Sequence, residues 1–182
     1  FYPVPDNKNM ILFTATDKEQ PTVNFTLYMK RDVTPRQERG FWQPFADDYM
    51  TSILRMAIND RLNELSRKAD APFISASVRD GNFFMASTKE SFEVSGVLKE
   101  NSIASGIQTI IGEVERARSL GITEQELKRG KAELLSYAVS DYNDRFKRSN
   151  RELVEACVDN FLEEEPLIDP AVELQLVQEL DA

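Results

Sequence analysis

Tyr49-Met50-Thr51-Ser52-Ile53-Leu54-Arg55-Met56-Ala57-Ile58-Asn59-Asp60-Arg61-Leu62-Asn63-Glu64-Leu65, running through Ala71-Pro72 into Phe73-Ile74-Ser75-Ala76-Ser77-Val78, decides the fold. Met50, Ile53, Leu54, Ala57, Ile58, Leu62 and Leu65 recur at the three- and four-residue spacing of one helical face. Ile74, Ala76 and Val78 then alternate with Ser75, Ser77 and Arg79, as in a half-buried strand. The period changes at Pro72, which cannot continue a helix. A long helix therefore hands the chain to a sheet, and the flanking segments read as packing for both.

Upstream, Phe1 to Lys8 holds two prolines and reads as an entry linker. Ile11–Thr16 and Thr22–Lys30 are rich in β-branched and aromatic residues, with the polar Asp17–Pro21 between them, so two neighbouring strands are expected. Thr34-Pro35 is a helix start signal, but Gly40 and Pro44 argue against one uninterrupted helix into the central segment. Downstream, Asp80-Gly81 predicts a two-residue hairpin turn returning through a strand over Asn82–Thr88. A further strand is expected where Phe92, Val94, Gly96 and Leu98 alternate with Glu93, Ser95 and Val97.

The rest is helical. Asn101 or Ser102 caps a helix striped by Ile103, Ile107, Ile110, Ile111, Val114 and Ala117, and Gly121 stops it. Thr123-Glu124-Gln125-Glu126 is a capping box opening a helix with Leu127, Leu134, Ala138, Tyr142 and Phe146, and Ser149–Glu152 repeats the pattern, predicting a kinked or two-part helix through Leu153, Cys157 and Phe161. Asp169-Pro170 starts a final short helix or linker over residues 169–182. Blocks of strands and helices define an α+β class, a mostly antiparallel or mixed sheet covered by helices, read as one domain over residues 1–182.

Composition restricts the chemistry. With 22 Lys and Arg against 31 Asp and Glu, the net charge of -9 disfavours nucleic acid and anionic membrane as partners. No apolar run approaches the length of a membrane span, and the first residue is Phe1 rather than Met, so the chain is expected to be a piece of a longer one whose compartment, periplasm or cytoplasm, stays open. The single cysteine, Cys157, excludes an internal disulfide and is expected to be a small buried residue. There is no histidine, which removes imidazole-based zinc, Ser-His and Cys-His chemistry from this segment.

Candidate constellations are weak. Asp47 and Asp48 are adjacent on a helix and diverge by roughly 100°, so they read as a solvated face rather than paired carboxylates. Glu163-Glu164-Glu165 lacks the loop carbonyls of a calcium site. Arg61 and Glu64 read as a surface ion pair. Lys128, Arg129 and Lys131 are balanced by Glu124, Glu126 and Glu133. From the residues alone, no catalytic or metal-ligating residue is expected, and substrate-binding residues stay unknown.

Three stretches together resemble the pitrilysin/insulinase family of zinc metallopeptidases: Asp60-Arg61-Leu62-Asn63-Glu64-Leu65 with Pro72–Ser77; Gly121-Ile122-Thr123-Glu124-Gln125-Glu126-Leu127-Lys128-Arg129-Gly130-Lys131; and Asn160-Phe161-Leu162-Glu163-Glu164-Glu165-Pro166. The resemblance implies a metallopeptidase-repeat domain, one of several in two halves closing around a peptide substrate, of which only the first binds zinc through His-x-x-Glu-His. Lacking histidine, this chain would not be that copy. Where the family's later, site-completing domain has an Arg after Glu-Leu and a Tyr opening the next strand, this chain matches Ser66 and Phe73. The resemblance thus implies a non-catalytic structural domain, the second of a long bacterial member, with no cofactor of its own and zinc in the parent's catalytic domain. Its expected partners are the other domains of the same polypeptide and the parent's peptide substrate. The alternative is a scaffold or assembly subunit of the same fold without peptidase activity.

Overall fold

The computed structural model describes residues 4–163 and 166–181. They divide into two compact units: residues up to Val33 with Arg55–Gly121, and Thr34–Leu54 with Ile122 onward. The central helix, α1 (Trp42–Ser66), belongs to both, its first half to the second unit and its remainder to the first.

In the first unit, β1 (Val23–Asp32), β2 (Phe73–Asn82) and β3 (Lys89–Leu98) form an antiparallel sheet in the order β1-β3-β2. The α+β reading holds, with differences in the strands. Ile11–Thr16 forms no strand; Ile11, Leu12 and Phe13 are 76%, 81% and 85% exposed. The segment pairs with no strand of the sheet, and propensity alone does not pair a strand. The hairpin turn is not at Asp80-Gly81 either. Those residues continue β2, opposite Phe92 and Ser91, and the chain turns over residues 83–88. Asp80 is held there by Arg31 of β1, whose guanidinium donates to both its carboxylate oxygens at 2.6 and 2.7 Å and pairs with Glu90 of β3 at 2.8 Å. One cation thus spans three strands, and of the expected strand over Asn82–Thr88, Asn82 ends β2 and the rest is the turn.

The buried face of β2 is also shifted. A bulge between Phe73 and Ser75 sets two residues against one of β3, so Phe73 is buried while Ile74, expected inside, is 57% exposed. Ala71, Phe73, Val78, Val94 and Leu98 join Ala57, Ile58 and Leu62 of α1 and Ile110 and Ala117 of α2 (Ile103–Leu120) as the buried apolar residues of this unit. Helix α2 packs on β3 and β2. It does so closely: a Cβ on Gly106 would lie 3.1 Å from the Pro72 carbonyl, and one on Gly96 2.6 Å from Ile110 Cδ1.

Asn59 of α1 closes the free edge of β2. Its side-chain oxygen accepts from the Val78 amide at 2.8 Å and its amide nitrogen donates to the Val78 carbonyl at 3.1 Å, replacing a missing neighbouring strand. Asn59→Ala is expected to lower stability by about 1–3 kcal/mol, because both backbone groups lose their partner. Denaturant unfolding with exchange protection of the Val78 amide checks this; unchanged protection would refute the edge-closing role.

In the second unit, a 3-10 turn at Arg36–Glu38 follows Thr34-Pro35, and the chain breaks near Gly40 before α1 begins. Pro44 does not interrupt the helix, because it lies in the first turn, where amide donors have no intrahelical acceptor. The capping box of α3 (Glu124–Asp144) is formed: the Glu126 amide donates to Thr123 Oγ1 at 3.2 Å, and the Thr123 amide to Glu126 Oε2 at 2.7 Å. Ser149 and Glu152 make the same reciprocal bonds at the start of α4 (Asn150–Glu163), so the helix is in two parts. Asp169 Oδ1 accepts from the Ala171 amide at 2.8 Å before α5 (Pro170–Asp181). Tyr49 and Ile53 of α1, Ala138 of α3 and Val177 of α5 form the core, with Phe45, Ile122, Leu134, Leu135, Leu174 and Leu180 against it.

Candidate functional site

Of the three stretches that carry the resemblance, the first lies where α1 gives way to β2, and its Arg61, with Ser66 and Phe73 beside it, is engaged in the fold. Ser66 ends α1 with its hydroxyl donating to the Asn63 carbonyl at 2.9 Å. Phe73 opens β2 with its ring 1% exposed. Arg61 corrects the surface-pair reading: it is 8% exposed, and its Nη2 donates to the Gly121 carbonyl at 3.4 Å, at the positive-φ residue that stops α2, while Glu64 is exposed. The long stem packs inside and the head serves a helix end.

Charged groups gather in two other places. At one end of the sheet, Lys89 is buried, and its ammonium donates to Asp32 at 2.6 Å and to Asp6 at 2.7 Å; Lys30 donates to the Pro5 carbonyl at 2.8 Å. These lysines clasp the N-terminal segment onto the sheet. The hydrogen bond from Lys89 and its charge hold the Asp6 carboxyl below the ordinary 3.8, and Asp32 and Asp6 raise the Lys89 pKa above 10.5. A depressed carboxyl contributes its full stability above its unfolded value and loses it as pH falls through the lower folded value; the raised amine contributes below 10.5 and loses its share above that. The clasp should therefore persist across neutral pH. Carboxyl NMR titration is expected to place Asp6 below 3.8 and Lys89→Met to return it to the ordinary range; no change in the variant would refute the clasp.

At the α3–α4 joint, Asp141, Asp144, Lys147, Arg148 and Glu152 line an open charged depression. Arg148 pairs with Asp141 and Lys147 with Asp144, each at 2.6 Å. Nearby Glu173 of α5 has its pKa raised by burial and by the Asp141 charge. Among the described residues no group of three or more His, Cys, Asp and Glu side chains is disposed to hold a metal. Asp47 and Asp48 are both exposed, and Asp47 accepts from Gln43 at 2.8 Å. Lys128 pairs with Glu124 at 2.7 Å, and Lys131 donates to the Asp181 carbonyl at 2.9 Å. Within the Glu163–Glu165 run, Glu164 and Glu165 lie outside the described residues.

Two apolar features of the second unit were not singled out from the sequence. A groove of about 550 Å³ is lined by Phe41, Trp42 and Phe45 on one side and by Pro166, Leu167, Ile168, Val172 and Leu176 on the other, and the Trp42 and Phe45 rings stack at 6.2 Å. The aromatic cluster Phe41-Trp42-x-x-Phe45 was its signal. The other is the apolar face of α4, which is exposed. Cys157 lies on it, exposed rather than buried, because the stripe it belongs to meets no core.

No family model matches the chain, and no curated protein matches it by sequence. Solved structures do share its fold. The likeness is one of fold, to structures described as proteases, and it agrees with the resemblance read from the residues. The chain is similar to the first half of the periplasmic protease PqqL from Escherichia coli, at a TM-score of 0.76 and 19% identity over 90% of this chain and 34% of that one; in the whole PqqL protease the same match covers 18% of the chain. It is also similar to a predicted insulinase family protease from Yersinia pestis, at a TM-score of 0.68 and 11% identity over 87% of this chain and 33% of that one. The chain thus spans about a third or less of each.

Proposed function

We propose that this chain is a non-catalytic structural domain of a zinc metalloendopeptidase that degrades peptides in a closed chamber, where it supports the zinc-binding domain and lines part of the wall. The observation that carries the reading is the fold likeness to proteases over 90% of a chain that contains no histidine. Without histidine the His-x-x-Glu-His motif is absent from this segment, so zinc and its activated water would come from another domain. Ser66 and Phe73 supply neither the cation nor the phenol that could stabilise an oxyanion, and the burial of Phe73 supports a packing role.

Zinc titration and a fluorogenic-peptide assay test this. The 182-residue chain is expected to bind no stoichiometric zinc and to show no turnover, while the longer polypeptide cleaves peptides. Stoichiometric zinc or turnover by the chain itself would overturn the proposal. A longer polypeptide without any His-x-x-Glu-His and without turnover would favour the scaffold subunit.

A further inference from the structure

Helix α4 carries an apolar stripe that its own unit does not use. Leu153, Val154, Cys157, Val158, Phe161 and Leu162 recur along one face, and all are exposed, Phe161 at 83% and Val154 at 61%. Of the described side chains in α4, Ala156 alone is even half-buried. A helix of 14 residues is marginal in water by propensity alone. Packing of an amphipathic face ordinarily stabilises such a helix, yet here that face is open to water.

We propose that α4 is a docking helix whose apolar face is covered by an apolar surface of another domain of the same, longer polypeptide. The inference rests on reading the chain as one domain of a larger peptidase. It is favoured over other occupants by area and charge. The stripe exposes on the order of 600 Å², at the upper end of what a monomer leaves open and short of the roughly 800 Å² per partner of a standard free-standing complex. A tethered domain needs less, because linkage supplies an effective concentration of order mM. A second copy would lack that advantage. A membrane-surface helix carries lysines and arginines on its polar face, whereas α4 sets Glu152, Glu155 and Asp159 against Arg151, which itself pairs with Glu155 at 2.8 Å.

Cys157, in the middle of the stripe, reports on the cover. The longer polypeptide is treated with N-ethylmaleimide under native conditions, and modification of Cys157 is followed by peptide-level mass spectrometry against the urea-unfolded protein. Native alkylation is expected to be at least about 100-fold slower, as for a site exposed only by local opening. Phe161→Asp, at an exposed position that should not disturb this unit's core, is expected to abolish most of that protection, with any loss of helix content no larger than the one helix α4. Native alkylation within about threefold of the unfolded rate overturns the proposal, as does full protection in the variant. Protection that disappears on dilution together with a dimer assigns the face to a second copy and overturns it too. If Cys157 is protected but the longer polypeptide cleaves no peptide, the docking stands and the peptidase reading fails.

Discussion

Phe73→Ala is expected to destabilise the protein by about 3–5 kcal/mol in denaturant unfolding, among the largest effects available to a single substitution. The ring is 1% exposed, and the bulge after it turns it onto the face that also buries Val78, Val94 and Leu98. Truncation removes apolar area and leaves a cavity beside a backbone held by the β2–β3 ladder, where collapse is limited. A cost below about 1 kcal/mol would show that the ring is not packed as described. Phe73→Tyr sharpens the point. Its hydroxyl would enter the same buried site and is expected to cost about 1–3 kcal/mol unless it finds a partner. Combined with Ser66→Arg, which restores the residue types of the resembled site-completing domain, it is expected to yield no peptide turnover from this chain, because the zinc motif is still missing.

Ile53→Ala is expected to cost about 2–5 kcal/mol, this time through the core of the second unit. Ile53 is 3% exposed and packs with Tyr49, Ala138 and Val177. It also abuts Gly130 of α3: a Cβ there would lie 2.8 Å from Ile53 Cγ2 and 3.3 Å from Cγ1. An isoleucine has little rotamer freedom in a helix, so its methyls cannot withdraw. Gly130→Ala alone should therefore gain little of the roughly 1 kcal/mol that alanine offers over glycine in a helix, or lose stability outright. In the Ile53→Ala background the obstructing atoms are gone, and the same change should become stabilising. A double-mutant cycle would read this as a coupling of about 1 kcal/mol or more, and simple additivity would refute the contact.

Much of this was legible along the chain. The α1 helix, the capping boxes at Thr123 and Ser149, the stop at Gly121 and the Asp169-Pro170 start are local signals, set by residue spacing, by caps bonding backbone groups within three residues and by a glycine's positive φ, and the structure contains them, although Met50 of the expected α1 stripe is exposed. The candidate site was legible only as resemblance. Its residues carry no motif chemistry, and what Arg61 and Phe73 do depends on neighbours distant in sequence, Gly121 for the first and the β3 strand for the second. The expected strand over Ile11–Thr16 failed for the same reason, since pairing depends on where the tertiary fold carries the segment and composition records only suitability.

The sequence by itself determined the helices, their caps, the α+β class and the absence of imidazole chemistry, because these follow from spacing and residue type within a few positions. Only the tertiary structure decided which alternating residues of β2 face inward, where β2 turns back, that Arg61 is buried and that Cys157 is not. A bulge flips a strand's face by one residue, an Arg31 bridge prolongs a strand past a good turn signal, and an apolar helical stripe is the same string of letters whether it meets a core or water.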